Sequence, residues 1–155
     1  MPGAGFYAIG ASRIAFGRDG QWYADGERIS NPRIARLFSR HLVRRSDGSW
    51  AIEMGDERAT VEIEDTPWVV TAVEGEPADG FVVVLNDGSR ERLDPLTLTI
   101  GRDHAFSCRV KGGTERARFL RGPHYALARW AEPGDPPGTF VLDTGGGRHR
   151  IPLAG

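Results

Sequence analysis

Residues 140–147, "FVLDTGGG", are spelled like the catalytic loop of an aspartic protease, an apolar run followed by Asp-Thr-Gly. That chemistry needs two aspartates sharing one proton, which a chain with a single motif could supply only as a homodimer. Eleven residues follow Thr144, too few for the strands that would frame Asp143. The expectation is therefore a glycine turn joining "TFVL" to "HRIPL" in a hairpin. His41, His104, His124 and His149 are scattered, with no His-x-x-x-His or Cys-x-x-Cys spacing, so no metal site is expected. Cys108 is the one cysteine and sits in an apolar strand pattern, where a thiol is an inert core group; a chain without disulfides fits a reducing compartment. Gly112-Gly113 and Gly145 to Gly147 open no expected helix and read as turns, not phosphate cradles. No catalytic residue and no cofactor is assigned.

Twenty basic and twenty-one acidic residues leave a formal charge of -1, so no global field draws the chain to nucleic acid or anionic lipid. Nineteen of the basic residues are arginine and Lys111 is the exception, a bias read first as compositional. The segment "ERARFLRGPHY" comes nearest to a nucleic-acid strip, but strand alternation puts Arg116 and Arg118 opposite Phe119, which assigns the aromatic to the core. No apolar run approaches the ~20 residues that span a bilayer. The opening "MPGAGFYAIGASRIAFG" has no cationic leader, and Gly5, Gly10 and Arg13 interrupt its apolar residues. A soluble, cytoplasmic protein with no nucleic-acid or membrane partner is expected.

The elements that must position any site follow from turn chemistry. Asp-Gly pairs recur at Asp19-Gly20, Asp25-Gly26, Asp47-Gly48, Asp79-Gly80 and Asp87-Gly88, each beside β-branched, aromatic or alternating residues. Two-residue hairpin turns favour this dipeptide, so antiparallel sheet should dominate. Strands are expected over 49–54, 59–64, 68–74, 81–85, 96–100, 105–110, 116–120 and 125–130. One segment differs: in "SNPRIARLFSRHLVRR", Ser30 or Asn31 can cap, Pro32 suits a first turn, and Ile34, Leu37, Phe38 and Leu42 recur at helical spacing. Arg33, Arg36, Arg40 and Arg44 lie mostly off that stripe, as a solvated surface before an anion-binding one.

In "VEIEDTPWVV" an alternating strand stops at Asp65-Thr66-Pro67 and resumes at Trp68. Proline cannot donate to a ladder, so the break marks an edge, bulge or corner. A shift of 56 positions lays "VEIEDTPWVVTAV" over "ARFLRGPHYALAR", with Pro67 on Pro123 and Asp65 on Arg121. The fold class expected is α+β, mainly antiparallel, with a repeated β-rich unit and one principal helix. The units are placed at residues 1–77 and 78–155, with the helix in the first and the proline as a corner shared by both.

The succession "RIAFGRDGQWYADGERI", "RLFSRHL", "RRSDGSWAI", "VEIEDTPW", "LNDG" and "ERARFLRGPHYAL" resembles the bacterial domain of unknown function family 1285 (DUF1285), in order from about Arg13 to Leu127. Its most specific pieces are Asp19-Gly20-Gln21-Trp22 with Gly26 to Ile29, the "VEIEDTPW" block, and Arg121 with Tyr125. The chain departs from the family's Val-Glu-Lys element, reading "EMGDERA" there, and ends in a less extended block. The resemblance implies a compact α+β fold of two similar β-rich units and a part in signalling or regulation; it brings no established reaction.

The function expected is a non-enzymatic regulatory or sensing module that binds a small anionic ligand or a partner protein near the junction of its halves. Arg28, Asp65, Trp68, Asn86, Arg121 and Tyr125 are the candidate site residues, because ligand clefts favour such junctions. Asp65 and Arg121, equivalent under the overlay, would pair across it. The alternative is an enzyme, such as a hydrolase, with Asp65 as base. A purely structural interaction protein would instead show an exposed apolar patch and no pocket.

Overall fold

The structure, a computed structural model, describes residues 13–154. They form two compact units, one ending at Pro67 and the other beginning at Trp68.

The first unit runs β1 (Ile14–Phe16), β2 (Trp22–Ala24), β3 (Glu27–Arg28), α1 (Pro32–Arg40), β4 (Leu42–Arg44), β5 (Trp50–Met54) and β6 (Glu57–Ile63). Its sheet order is β3-β2-β1-β6-β5-β4. Neighbours are antiparallel except at the centre, where β1 and β6 run parallel and Ile14 faces Val61. A parallel pair needs a crossover, and α1 lies on the path between the two three-stranded meanders. The helix forms for the reasons read from its sequence: Asn31 Oδ1 accepts the Arg33 N–H at 2.9 Å, and Pro32 occupies the first turn. Ile34 and Phe38 are buried. Trp22 packs edge-on to Phe38 at 5.7 Å between ring centroids, and its Nε1–H donates to the Ser39 hydroxyl at 2.9 Å.

The second unit repeats this topology. β7 (Trp68–Glu76), β8 (Gly80–Leu85), β9 (Arg90–Arg92), β10 (Thr99–Ile100), β11 (Phe106–Val110) and β12 (Glu115–Phe119) take the order β9-β8-β7-β12-β11-β10. Again the first and last strands form the parallel centre, with Trp68 facing Ala117 and Val70 facing Phe119. The 56-residue shift therefore carries Val61 and Ile63 of β6 onto Ala117 and Phe119 of β12. The break at Pro67 is where the chain leaves the first sheet and enters the second. The boundary accordingly falls at Pro67–Trp68, not after residue 77, because β7 pairs with β8 and β12.

Two elements differ from expectation. Residues 125–130 are not a strand: α2 (Arg121–Ala128) covers 125–128 and residues 129–130 form a turn, so Pro123 sits in a helical first turn while Pro67 sits in the bend between β6 and β7. The segment "PHYALA" has no β-branched residue and is rich in helix formers, and Pro is tolerated in a first turn. Residues 95–97 form a 3₁₀ turn capped by Asp94, leaving only Thr99–Ile100 as strand. After α2, β13 (Ala131–Pro133), β14 (Phe140–Thr144) and β15 (Gly147–Ile151) make a small antiparallel sheet, and the "DTGGG" segment is the turn of its hairpin.

Four of the five Asp-Gly pairs lie in turns between consecutive antiparallel strands, and in the fifth Asp79 ends the turn while Gly80 opens β8. Asp25-Gly26 is the two-residue form, with φ of 52° and 84°. Asp19, Asp47 and Asp87 build longer turns, in which the aspartate Oδ1 accepts the N–H two residues on at 2.9–3.0 Å. Among the described residues no helix is long and apolar enough to cross a membrane.

Candidate functional site

In the first unit Arg28 ends β3 on an exposed edge. Asp65 follows β6, and its Oδ1 lies 4.0 Å from Arg18 Nη2.

In the second unit Trp68 and Asn86 converge on the start of β7. Asn86 Oδ1 accepts the Val69 N–H at 3.0 Å and its own N–H donates to the Val69 carbonyl at 3.2 Å, tying the β8–β9 turn to that strand. Trp68 is buried, and its Nε1–H donates to Glu115 Oε1 at 3.3 Å. Lys111 sits over the indole, Nζ 4.5 Å from the ring centroid. The same ammonium donates to Asp87 Oδ2 at 2.6 Å and to the Ser89 hydroxyl at 3.3 Å, while the Lys111 N–H donates to Glu91 Oε2 at 2.9 Å. Burial pushes the Asp87 carboxyl up, but hydrogen bonds from Lys111 and Ser89 and the lysine charge outweigh it and hold it below the usual carboxylate range. The chain's one lysine, the exception to its arginine bias, thus organises a cage around Trp68 and Asp87.

α2 places Arg121 and Tyr125 one turn apart, with the guanidinium 5.9 Å from the phenol ring and Tyr125 60% exposed. His124 points inward and stacks at 4.3 Å on Phe106, whose N–H it accepts through Nδ1 at 3.2 Å. Burial pushes its pKa down, against a smaller upward pull from Asp103. Asp103 accepts from Arg118 at 2.7 Å; burial raises its pKa, but the arginine and the Ala105 N–H prevail and lower it. The six sequence candidates therefore fall into Trp68 with Asn86, Arg121 with Tyr125, and Arg28 and Asp65 in the first unit. Lys111, Asp87, Glu115 and His124 are the additions.

The remaining motifs are occupied structurally. Asp143 pairs with Arg148 at 3.5 Å, and the Thr144 hydroxyl donates to the Gly147 carbonyl at 3.1 Å within the hairpin. Gly145 is needed because a Cβ there would stand 2.9 Å from the Ala78 carbonyl oxygen. Among the described residues no His, Cys, Asp and Glu cluster could hold a metal. Cys108 lies in the core, and burial, with a lesser contribution from Glu91, pushes its thiol up to about 12. Iodoacetamide at neutral pH is expected to leave folded Cys108 unmodified and to alkylate it in urea; equal rates would show that the thiol is reachable.

Among solved structures the chain is similar to a DUF1285 family protein from Silicibacter pomeroyi DSS-3, at a TM-score of 0.65 and 24% identity over 93% of this chain and 80% of that one. It is also similar to a DUF1285 family protein from Shewanella baltica OS155, at 0.57 and 18% over 77% and 92%. No protein-family model and no curated protein matches the chain. The fold is DUF1285-like.

Proposed function

We propose that this chain, on its DUF1285-like fold, is a cytoplasmic, non-enzymatic regulatory or sensing module that takes up a small anion at the amino end of α2. Arg121 carries the reading. Its guanidinium faces the exposed Tyr125 ring and is in no ion pair among the described residues. Leu120 gives α2 no side-chain cap, and Gly122 has nothing within 4 Å of its Cβ position. A guanidinium fork beside an uncapped first turn suits a carboxylate or phosphate, and the tyrosine offers a flat polar-tipped wall.

Binding is favoured over catalysis by how the titratable groups are tuned. Asp87 and Asp103 are held as carboxylates by cations, Cys108 is held protonated, and His124 is held neutral with Nδ1 occupied. Each is moved away from proton transfer near neutrality. Cys108, alone and buried, fits a reducing compartment.

Titrating the protein with inorganic phosphate should shift the amide resonances of Gly122 and Tyr125 saturably. Arg121→Ala should weaken that binding about tenfold, roughly 1.4 kcal/mol, while leaving the unfolding midpoint unchanged. Equal binding by the variant, or no saturation at these amides, overturns the proposal.

A further inference from the structure

Several arginines in or beside the strands pair with a carboxylate: Arg13, just before β1, meets Glu62 at 2.9 Å, Arg58 meets Glu53 at 3.7 Å, and Arg90 meets Glu74. The exposed face of α1 is different. Arg33, Arg36 and Arg40 follow one another at i, i+3 and i+7, and none is in an ion pair among the described residues. The first turn of α1 contains no acidic residue. Residues 1–12 contain no aspartate or glutamate either, so they bring no side-chain carboxylate to the stripe.

A solvated polar face accounts for charge at these positions, and the helix dipole favours Arg40 in the last turn, but neither accounts for the single sign of the whole stripe. Arg33 stands at the positive end of the helix dipole, and like charges at i,i+3 and i,i+4 repel along the helix face. The three side chains, with Pro32 and Leu37, line a hollow of about 340 Å³. That lies within the size range of small-ligand sites, about 300–1,000 Å³. The stripe rises about 10 Å along the axis, within the reach of three long side chains converging on one ligand. A single anionic group satisfies one guanidinium fork; three forks around one hollow match a ligand with several anionic groups in a row.

We propose that this hollow on α1 binds a small molecule carrying an oligophosphate chain. The three guanidinium groups take phosphate oxygens, and Pro32 and Leu37 meet the ligand's less polar part. Phosphate is favoured over a carboxylate because its oxygens accept paired N–H bonds from several forks at once. The site lies in the first unit and does not depend on the Arg121 proposal.

The test is calorimetric titration of the full chain with inorganic tripolyphosphate and, separately, orthophosphate, with amide shifts to locate each site. Saturable tripolyphosphate binding is expected, at least about tenfold tighter than orthophosphate on α1, with shifts over residues 33–40. The Arg36→Gln/Arg40→Gln double variant, changed only at exposed positions, should lose at least tenfold in affinity there, whereas Arg121→Gln should leave it intact. Absence of tripolyphosphate binding on α1 at millimolar concentration, or equal binding by the double variant, overturns the proposal. Binding abolished by Arg121→Gln alone would overturn it too, and would assign the ligand to α2.

Discussion

Trp68→Ala is expected to destabilise the protein by about 3–5 kcal/mol, the range for removing a large aromatic from a core. The indole opens β7 opposite Ala117 in the parallel centre of the second sheet and is only 7% exposed. Its loss empties the space beneath Lys111 and leaves Glu115 without the Nε1–H it accepts. Trp68→Phe separates these effects, keeping most of the packing while losing the indole N–H, and should cost about 1 kcal/mol, the worth of one hydrogen bond. Urea unfolding followed by circular dichroism measures both. A midpoint unchanged in Trp68→Ala would mean that the ring contributes no packing and is held available for a ligand instead.

Local chemistry was legible in the sequence wherever a few adjacent residues decide the structure. Asn31, Pro32 and the Ile34–Phe38 spacing announce α1, and all three act in it as expected. The Asp-Gly pairs announce turns, although only Asp25-Gly26 is the two-residue form, because at Asp19, Asp47 and Asp87 the aspartate side chain closes a longer turn. The 56-residue shift found the topological repeat because β6 and β12 occupy the same central place in their sheets. Illegible was whatever depends on distant partners. α2 spans eight residues and buries only Pro123 and Leu127, too little for a helical period to show against the strand pattern around it. β3 and β9 are short edge strands whose residues are largely exposed, so they carry no alternation. The site was less legible than the fold for the same reason. Asn86 reaches the start of β7 through its hydrogen bond with the Val69 N–H, across seventeen residues of chain. Lys111 acquires meaning only when β11 brings it to Asp87, twenty-four residues away.

Lys111 carries the second large effect. Lys111→Glu is expected to cost about 3–5 kcal/mol at neutral pH, as for breaking a buried ion pair, because it places a carboxylate among Asp87, Glu91 and Glu115. The lysine side chain is 29% exposed and that of Asp87 13%, so water relieves little of the repulsion. Backbone strain does not confound the comparison, since Lys111 already adopts φ of 56° and glutamate inherits it. The pH dependence follows from Asp87. Its folded pKa is depressed, so its contribution in the wild type is fully present above the unfolded value, about 3.9, and is lost as pH falls through the lower folded value. In the variant the hydrogen bond and charge that lowered it are gone while burial remains, so Asp87 titrates higher and acid relieves the repulsion. The stability gap between wild type and variant should therefore be widest near pH 7 and narrow below about pH 4. Lys111→Met, which keeps the stem but not the charge, should fall between the two proteins at pH 7. Urea midpoints at both pH values decide the matter: a gap of the same size at pH 7 and pH 3.5 would mean that the ammonium does not stabilise Asp87, and that the cage is held by packing on Trp68 alone.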